Sequence, residues 1–434
     1  MDFNLYGWGR TKGFISKISE PKNLKELTKV SKNTKLIARG YGRSYGDSSI
    51  QNKLTVITKN LNAVIKFDSK KGIIEAESGC DIKKLLNTVL PKNWILPVIP
   101  GSKFISLGGM VASDVHGKNH HNEGSFRNHI LEIKVINDKG YLICNKIKNK
   151  DLFNYTIGGM GLTGIIYSCK FKLKKISSNN IFQETIKSYN LKDTIKLIKK
   201  SSSWDYNVAW VDTSSGGNSI GRSIVFRGNH IKNKDKSINV EFLNKKKIRL
   251  LFNFPSWIMN KYVIKLLNSI YFIFQSNSKK EINLENFFFQ LDKIHSWNLV
   301  YGNSGFTSYQ CSFPQKTSYQ AIKTILQILN SNKVFSFVSV IKSLGKGSRF
   351  LSFGKKGLTV VFDFPNYKNL KKVLAALDDI VIKYNGDIYL VKDSRISQKN
   401  FSKTNINFKS KYFKLLRKKY GKRFNSIQST RLGI

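Results

Sequence analysis

Residues 39–47 read Arg39-Gly40-Tyr41-Gly42-Arg43-Ser44-Tyr45-Gly46-Asp47 and directly follow the short apolar run Leu36-Ile37-Ala38. Three glycines in nine residues let the backbone turn left-handed and bring bare amides close to a ligand. Consecutive bare amides in such a turn form a concave trap for an anion such as a pyrophosphate. Two more glycine-rich regions follow within the first half of the chain. One is Pro100-Gly101-Ser102 with Ser106-Leu107-Gly108-Gly109, and the other is Gly158-Gly159-Met160-Gly161-Leu162-Thr163-Gly164. None has the spacing of the dinucleotide GxGxxG fingerprint or of the Walker phosphate loop. The pattern predicts a different cradle, with a long dinucleotide laid across several loops.

Around this stretch the chain reads as mixed helix and strand. Residues 24–30 and 82–90 have helical periodicity, the second with Asp81 as its cap, because its carboxylate can accept early amide protons. Residues 54–57, 73–77 and 165–173 read as strands. Residues 131–136 and 141–144 flank Asn137-Asp138-Lys139-Gly140, a hairpin signal. The polar run Ser177-Ser178-Asn179-Asn180 marks a domain boundary. Beyond it, 191–199 and 370–384 read as helices, and 206–211, 335–341, 358–364 and 388–391 as strands. The expected fold is α+β with two domains: 1–178, then 179–386, then a C-terminal segment 387–434 that returns to the first domain.

The 434 residues are enough for two cores. Cys80, Cys144, Cys169 and Cys311 lie far apart, which predicts buried thiols rather than a disulfide framework or a metal site. The formal charge of +47 comes from 74 basic and 27 acidic residues, a field that favours anionic partners. The lysines are scattered, clusters such as Lys245-Lys246-Lys247 and Arg417-Lys418-Lys419 read as solvated faces, and no zinc-finger or RNA-recognition motif is present, so nucleic acid is not an expected partner. Residues 1–14 lack a signal-peptide core, and no run of about 20 apolar residues marks a membrane span. The expected location is cytoplasmic, peripheral at the inner face of the membrane. Residues 250–275 mix large aromatics with lysines, which suits an interfacial segment, a lid over an oily ligand or an ordinary buried helix with loops.

Four of the six histidines fall at 116, 120, 121 and 129, the first three within Asp114-Val115-His116-Gly117-Lys118-Asn119-His120-His121. The spacing is not that of a zinc helix. A histidine, a lysine and an asparagine just after a glycine turn point instead to a polar site on a loop. Lys392-Asp393-Ser394-Arg395 is the second candidate, since a lysine at a strand end sets a fixed positive charge against a developing anion.

These residues resemble the decaprenylphosphoryl-β-D-ribose 2′-oxidase family, within the wider vanillyl-alcohol-oxidase flavoproteins. The resemblance runs from Gly7-Trp8-Gly9-Arg10-Thr11 through the loop at 39–47, PGSKFISLGG (100–109), HGKNHH (116–121), GSFRNH (124–129) and GLTGII (161–166). It continues through Ala209-Trp210, Trp297-Asn298, Tyr309-Gln310, Asp363-Phe364-Pro365 and Lys392-Asp393-Ser394-Arg395. It implies a two-domain FAD-binding oxidoreductase of the PCMH type, whose substrate domain is a β-sheet flanked by helices. FAD would lie along Ala38, Arg39, Gly40, Tyr41, Gly42, Arg43, Ser44, Tyr45, Gly46, Asp47 and Ser48. Gly101, Ser106, Leu107, Gly108, Gly109, Ser113, Asp114, Val115, His116, Ile166 and Tyr389 would complete that site. FAD would be held non-covalently, because Arg43 stands where many superfamily members attach flavin through a histidine. Lys118, Trp210, Gln310, Lys342 and Lys392 would meet the substrate, with Lys392, His116 and Tyr45 as the catalytic group. The implied reaction oxidises the ribose 2′-hydroxyl of a polyprenyl-phosphate sugar to a ketone. A partner NAD(P)H-dependent keto-reductase would then return it as the arabinose epimer. Where mycobacterial members carry a cysteine this chain has Val361, and 287–291 is phenylalanine-rich where the family has a tyrosine and a histidine. A related aldonolactone or alditol oxidase is one alternative. A polyanion-binding protein on a degenerate flavin fold is another.

Overall fold

The computed structural model describes residues 1–32, 35–232, 240–244, 248–348 and 350–434. The lysine cluster at 245–247 lies outside the described residues. Two main sheets form from the first 175 residues, beside a short pair of Trp94–Ile95 with Lys174–Lys175. The smaller has the strand order Asp2–Tyr6, Gly13–Ser19, Leu54–Ile57, Leu36–Arg39. The larger has the order Val64–Asp68, Ile73–Glu77, Ile165–Lys172, Ile130–Asn137, Gly140–Asn145. Its hairpin turns where expected: Asn137 Oδ1 accepts from Lys139 N at 2.9 Å, and Gly140 takes φ +90°. Helix Ile82–Val89 is capped by Asp81, whose Oδ1 accepts from Lys84 N at 2.7 Å. It buries Ile82, Leu85, Leu86 and Val89, the i, i+3, i+4, i+7 stripe of an amphipathic helix.

An eight-stranded sheet follows, in the order Ser278–Asn283, Asn180–Ser188, Ser223–His230, Tyr206–Val211, Ser339–Leu344, Gly357–Pro365, Phe306–Pro314, Asp387–Ile388. Helices Leu191–Lys200, Ser318–Ser331 and Leu370–Lys383 pack against it. Because side chains alternate along a strand, Ala209, Val211, Tyr309, Cys311, Val360, Phe362 and Phe364 point into one core with these helices. Their neighbours Trp210, Gln310, Val361 and Asp363 face the opposite way, into a cavity. The period of two thus sorts this sheet into a structural face and a chemical face.

The C-terminal segment returns to the first sheets. Leu36 N donates to Arg423 O at 2.8 Å, and Asn425 N to Leu36 O at 3.0 Å. The Arg431 guanidinium reaches Asp47 and Asp393, each at 2.9 Å. The returning segment begins inside the large sheet, since Asp387–Ile388 pairs with Phe306–Pro314.

Two strand expectations fail. Residues 388–391 form a strand only as far as Ile388; beyond it Lys392 N donates to Tyr389 O at 3.0 Å and closes a turn. The turn is stable because its outward groups find other partners: Val391 O accepts from Tyr45 N at 2.9 Å and Leu390 O from Gln428 Nε2 at 2.8 Å. Of 335–341 only 339–341 is strand, the start of Ser339–Leu344. Phe337 O is taken by the indole of Trp210 at 2.8 Å, and Ser336 O by Thr213 Oγ1 at 3.0 Å, so side chains occupy carbonyls a ladder would use.

Candidate active site

The glycine loop at 39–47 is pinned on three sides. Trp8 N donates to Ser44 O at 2.8 Å, Gly9 N to Tyr45 O at 3.1 Å and Tyr45 N to Val391 O at 2.9 Å. Arg39 donates to Tyr6 O at 2.7 Å, and the Arg43 guanidinium stacks 3.9 Å from the Trp8 ring centre. Among the described residues, the amides of Gly40, Tyr41, Gly42, Arg43 and Ser44 donate to no protein acceptor. The Oγ atoms of Ser48 and Ser78 are buried without a partner as well. Gly42 sits at φ +65°, and a Cβ on Gly40 would come within 2.0 Å of Ser106 Oγ. Five consecutive free amides over a glycine-lined surface fit the pyrophosphate of FAD. Asp47 and Asp114 support this cradle: Asp47 pairs with Arg431, and Asp114, at φ +40°, accepts from Arg127 N at 2.8 Å and Ser125 Oγ at 2.9 Å. Ser106 caps the helix Leu107–Ala112, which carries Gly108 and Gly109, and Ser113 O accepts from the Tyr389 hydroxyl at 3.4 Å. Ile166 is buried in the core and Ala38 lies on the strand beside the loop; neither lines the cavity.

The cavity, about 390 Å³, lies where the glycine turns, the chemical face of the large sheet and the returning segment meet. Tyr45, Gly101, Val115, His116, Lys118, Trp210, Gln310, Lys342, Val361, Asp363, Tyr389 and Lys392 all line it. The sequence motifs separate here. Within HGKNHH only His116 and Lys118 face the cavity. His120 Nδ1 accepts from Gly345 N at 3.0 Å, and His121 Nε2 lies 2.9 Å from Trp204 O, so both tie the motif to the part of the chain beyond residue 178. Within the 392–395 motif only Lys392 faces it. Asp393 pairs with Arg431, and Arg395 with Asp378 at 2.5 Å.

Three ammonium groups share this low-polarity space. Lys392 Nζ sits 3.5 Å from the Tyr45 ring centre and 3.9 Å from Asp363 Oδ1. Burial lowers its pKa to about 8, partly offset by Asp363. Lys342 is lowered to about 8 by burial and by Lys392, and Lys118 to about 7 by burial and by Lys342. Lys118 donates to Phe287 O and lies 4.5 Å from the Phe287 ring centre, so the phenylalanine-rich segment is its seat. Burial holds His116 neutral, with its pKa well below the ordinary value. Gln310 Nε2 donates to its Nε2 at 2.9 Å, and the rings of Phe353 and Tyr389 flank it at 5.6 and 5.4 Å. Burial raises Tyr45, which keeps its hydroxyl protonated beneath Lys392. Asp363 was legible only as part of a motif; its place facing Lys392 follows from strand alternation. Nothing in the sequence distinguished Ser78. Among the described residues no group of three or more His, Cys, Asp or Glu side chains is placed to hold a metal.

Residues 18–144 match the FAD binding domain family. The chain is 30% identical to decaprenylphosphoryl-β-D-ribose oxidase of Mycolicibacterium smegmatis over 416 residues, which covers 92% of this chain and 90% of that protein. The chain belongs to the decaprenylphosphoryl-β-D-ribose oxidase family. Like that family it is an FAD-dependent oxidoreductase acting on CH–OH groups. More distant similarity reaches a D-2-hydroxyglutarate dehydrogenase of Oryza sativa, 24% identical over 38% of this chain and 32% of that protein. The fold is also that of BBE-like 1 of Physcomitrella patens, solved as a variant, with a TM-score of 0.69 at 13% identity over 96% of this chain and 92% of that one. Val361 stands on the cavity wall, 7% exposed.

Proposed function

We propose that this protein oxidises the 2′-hydroxyl of a polyprenylphosphoryl-β-D-ribose to the 2′-keto sugar, the first half of an epimerisation completed by an NAD(P)H-dependent keto-reductase. Lys392 carries the reading: a buried cation held between the Tyr45 ring and the Asp363 carboxylate, on the wall of a cavity beside the cradle loop. FAD supplies the hydride acceptor. The loop 39–48 and the turns at 101 and 106–109 would hold it. The FAD would be released intact on denaturation, since Arg43 forms no bond to flavin carbon. Lys392 sets positive charge against the charge that develops during oxidation. The neutral imidazole of His116 accepts from Gln310 at Nε2, so its proton sits on Nδ1, which is placed to donate to a substrate oxygen. Lys118 and Lys342 neutralise the substrate phosphate, and Trp210, Val361 and the phenylalanines at 287–288 give the apolar wall. We assign residues 1–178 and the segment after 388 to the flavin domain, and the sheet between them to the substrate domain. The protein works at an anionic membrane surface, where such a substrate resides.

Anaerobic rapid mixing tests the reading. Polyprenylphosphoryl ribose bleaches the flavin within seconds, and free aldonolactones and alditols do not. Bleaching by the free sugars alone would assign the chain to a different oxidase activity. Yellow colour retained in an acid-denatured, washed pellet would refute non-covalent binding.

A further inference from the structure

The helix Lys261–Phe274 is apolar on its exposed face as well as on its buried one. Its inward face carries Ile264, Asn268 and Phe272. Asn268 is fully buried and donates from Nδ2 to Asp212 Oδ1 at 3.0 Å and to Ser336 O at 3.2 Å. Its outward face carries Tyr262, Leu266, Ile270, Ile273 and Phe274, between 42% and 81% exposed. A helix facing only water shows the reverse pattern. The preceding loop adds exposed Leu251, Phe252 and Trp257. Apolar surface gathered on one element marks a partner.

The charge around it says which partner. Among the described residues between Glu241 and Glu281 there is no acidic one, while Arg249, Lys261, Lys265, Lys279 and Lys280 are basic. Lys265 lies exposed on the same face, and Lys261 Nζ sits 5.1 Å from the Tyr262 ring centre. Apolar side chains with lysines beside them suit an anionic bilayer, in which the chains sink below the headgroups and the ammonium groups stay among them. A second copy is a poor occupant, since two such patches carry only like charge on molecules of +47 each.

We propose that the outward face of Lys261–Phe274, with the loop carrying Trp257, docks this protein on anionic lipid and lies in the interface parallel to the membrane. The inner side of the helix gives the docking a purpose. Tyr271 lines the cavity and packs edge-on to Trp210 at 4.8 Å between ring centres. The docking element is thus also a cavity wall, so a lipid-linked substrate enters beside it without its tail crossing water. This second step rests on the substrate proposed above; the docking does not.

The test sediments full-chain, FAD-loaded protein with vesicles of phosphatidylcholine, with and without phosphatidylglycerol. The parent binds the anionic vesicles, and salt weakens that binding. Leu266→Glu with Ile270→Glu weakens it by at least about tenfold, at unchanged flavin spectrum. If that pair loses flavin, Phe252→Ser with Trp257→Ser in the loop gives the same reading, a several-fold loss. Equal binding of the parent to both vesicle types overturns the proposal, as does full binding by variants that keep flavin. A parent dimer that the variants split without any change in vesicle binding assigns the face to a second copy and also overturns it. Vesicle binding needs no sugar. Docking without bleaching by polyprenylphosphoryl ribose would remove only the proposed reaction, and bleaching without docking would remove this proposal and the membrane location but leave the reaction.

Discussion

Lys392 holds its charge where charge is costly, and the Asp363 carboxylate is what keeps it there. Lys392→Ala should retain FAD and slow flavin bleaching by about 10²–10³-fold, the typical effect of removing one preorganised electrostatic partner. Rapid mixing on flavin-loaded variant checks this; a parental rate would remove Lys392 from the chemistry. The pH dependence has a definite sign. With its pKa lowered to about 8, the cation is present below that pH and lost above it, so the bleaching rate falls as pH rises through about 8. Asp363 raises that pKa, so Asp363→Asn moves the fall to lower pH. If the limb does not move, another group sets it. The sequence exposed Lys392, His116 and Lys118 because each stands beside a turn motif. It did not separate them from His120, His121, Asp393 and Arg395, because adjacent residues in a tight turn point in opposite directions. Only the packed structure shows which of them face the cavity.

At the scale of elements, the legible features are those whose signals are local. The Asp81 cap and the turn at Asn137 to Gly140 are decided by side chains within three residues of the backbone groups they satisfy. The run 388–391 was misread because its apolar residues look like a strand while its backbone partners lie far off, at Tyr45 and Gln428. The order of the large sheet was invisible for the same reason: each pairing depends on contacts distant in sequence. The Arg431 pairing is of this long-range kind and carries a prediction. Its guanidinium bridges Asp47 and Asp393, both nearly fully buried. Arg431→Met leaves two buried carboxylates facing each other, which should cost roughly 3–5 kcal/mol. The same change should loosen the loop at 39–47 and weaken FAD binding. Chemical denaturation and flavin titration measure the two effects; unchanged values for both would show that the tail closes the cradle by other contacts.

For the whole molecule, the three cavity lysines tie stability to pH. Lys118, Lys342 and Lys392 titrate near 7, 8 and 8 in the folded chain, below the ordinary 10.5. The unfolded chain therefore keeps protons that the folded one has shed, and stability rises with pH from about 7 to about 9. Above about 9 the sign turns. Burial holds Cys80 and Cys144 at about 12 and pushes Cys169 and Cys311 well above the ordinary thiol, so unfolding then releases protons. The melting temperature of flavin-free protein should climb between pH 7 and 9, and Lys342→Met should flatten that climb. A level or falling curve in the parent would contradict it. The path of the chain also sets a clock on its own maturation. Asp47 and the Arg431 that braces it are 384 residues apart. At about 5–20 residues per second of synthesis, the gap is roughly 20–80 s. The cradle leaves the ribosome long before its clasp. A nascent chain that has made its cradle but not yet Arg431 therefore holds flavin more weakly than the finished one.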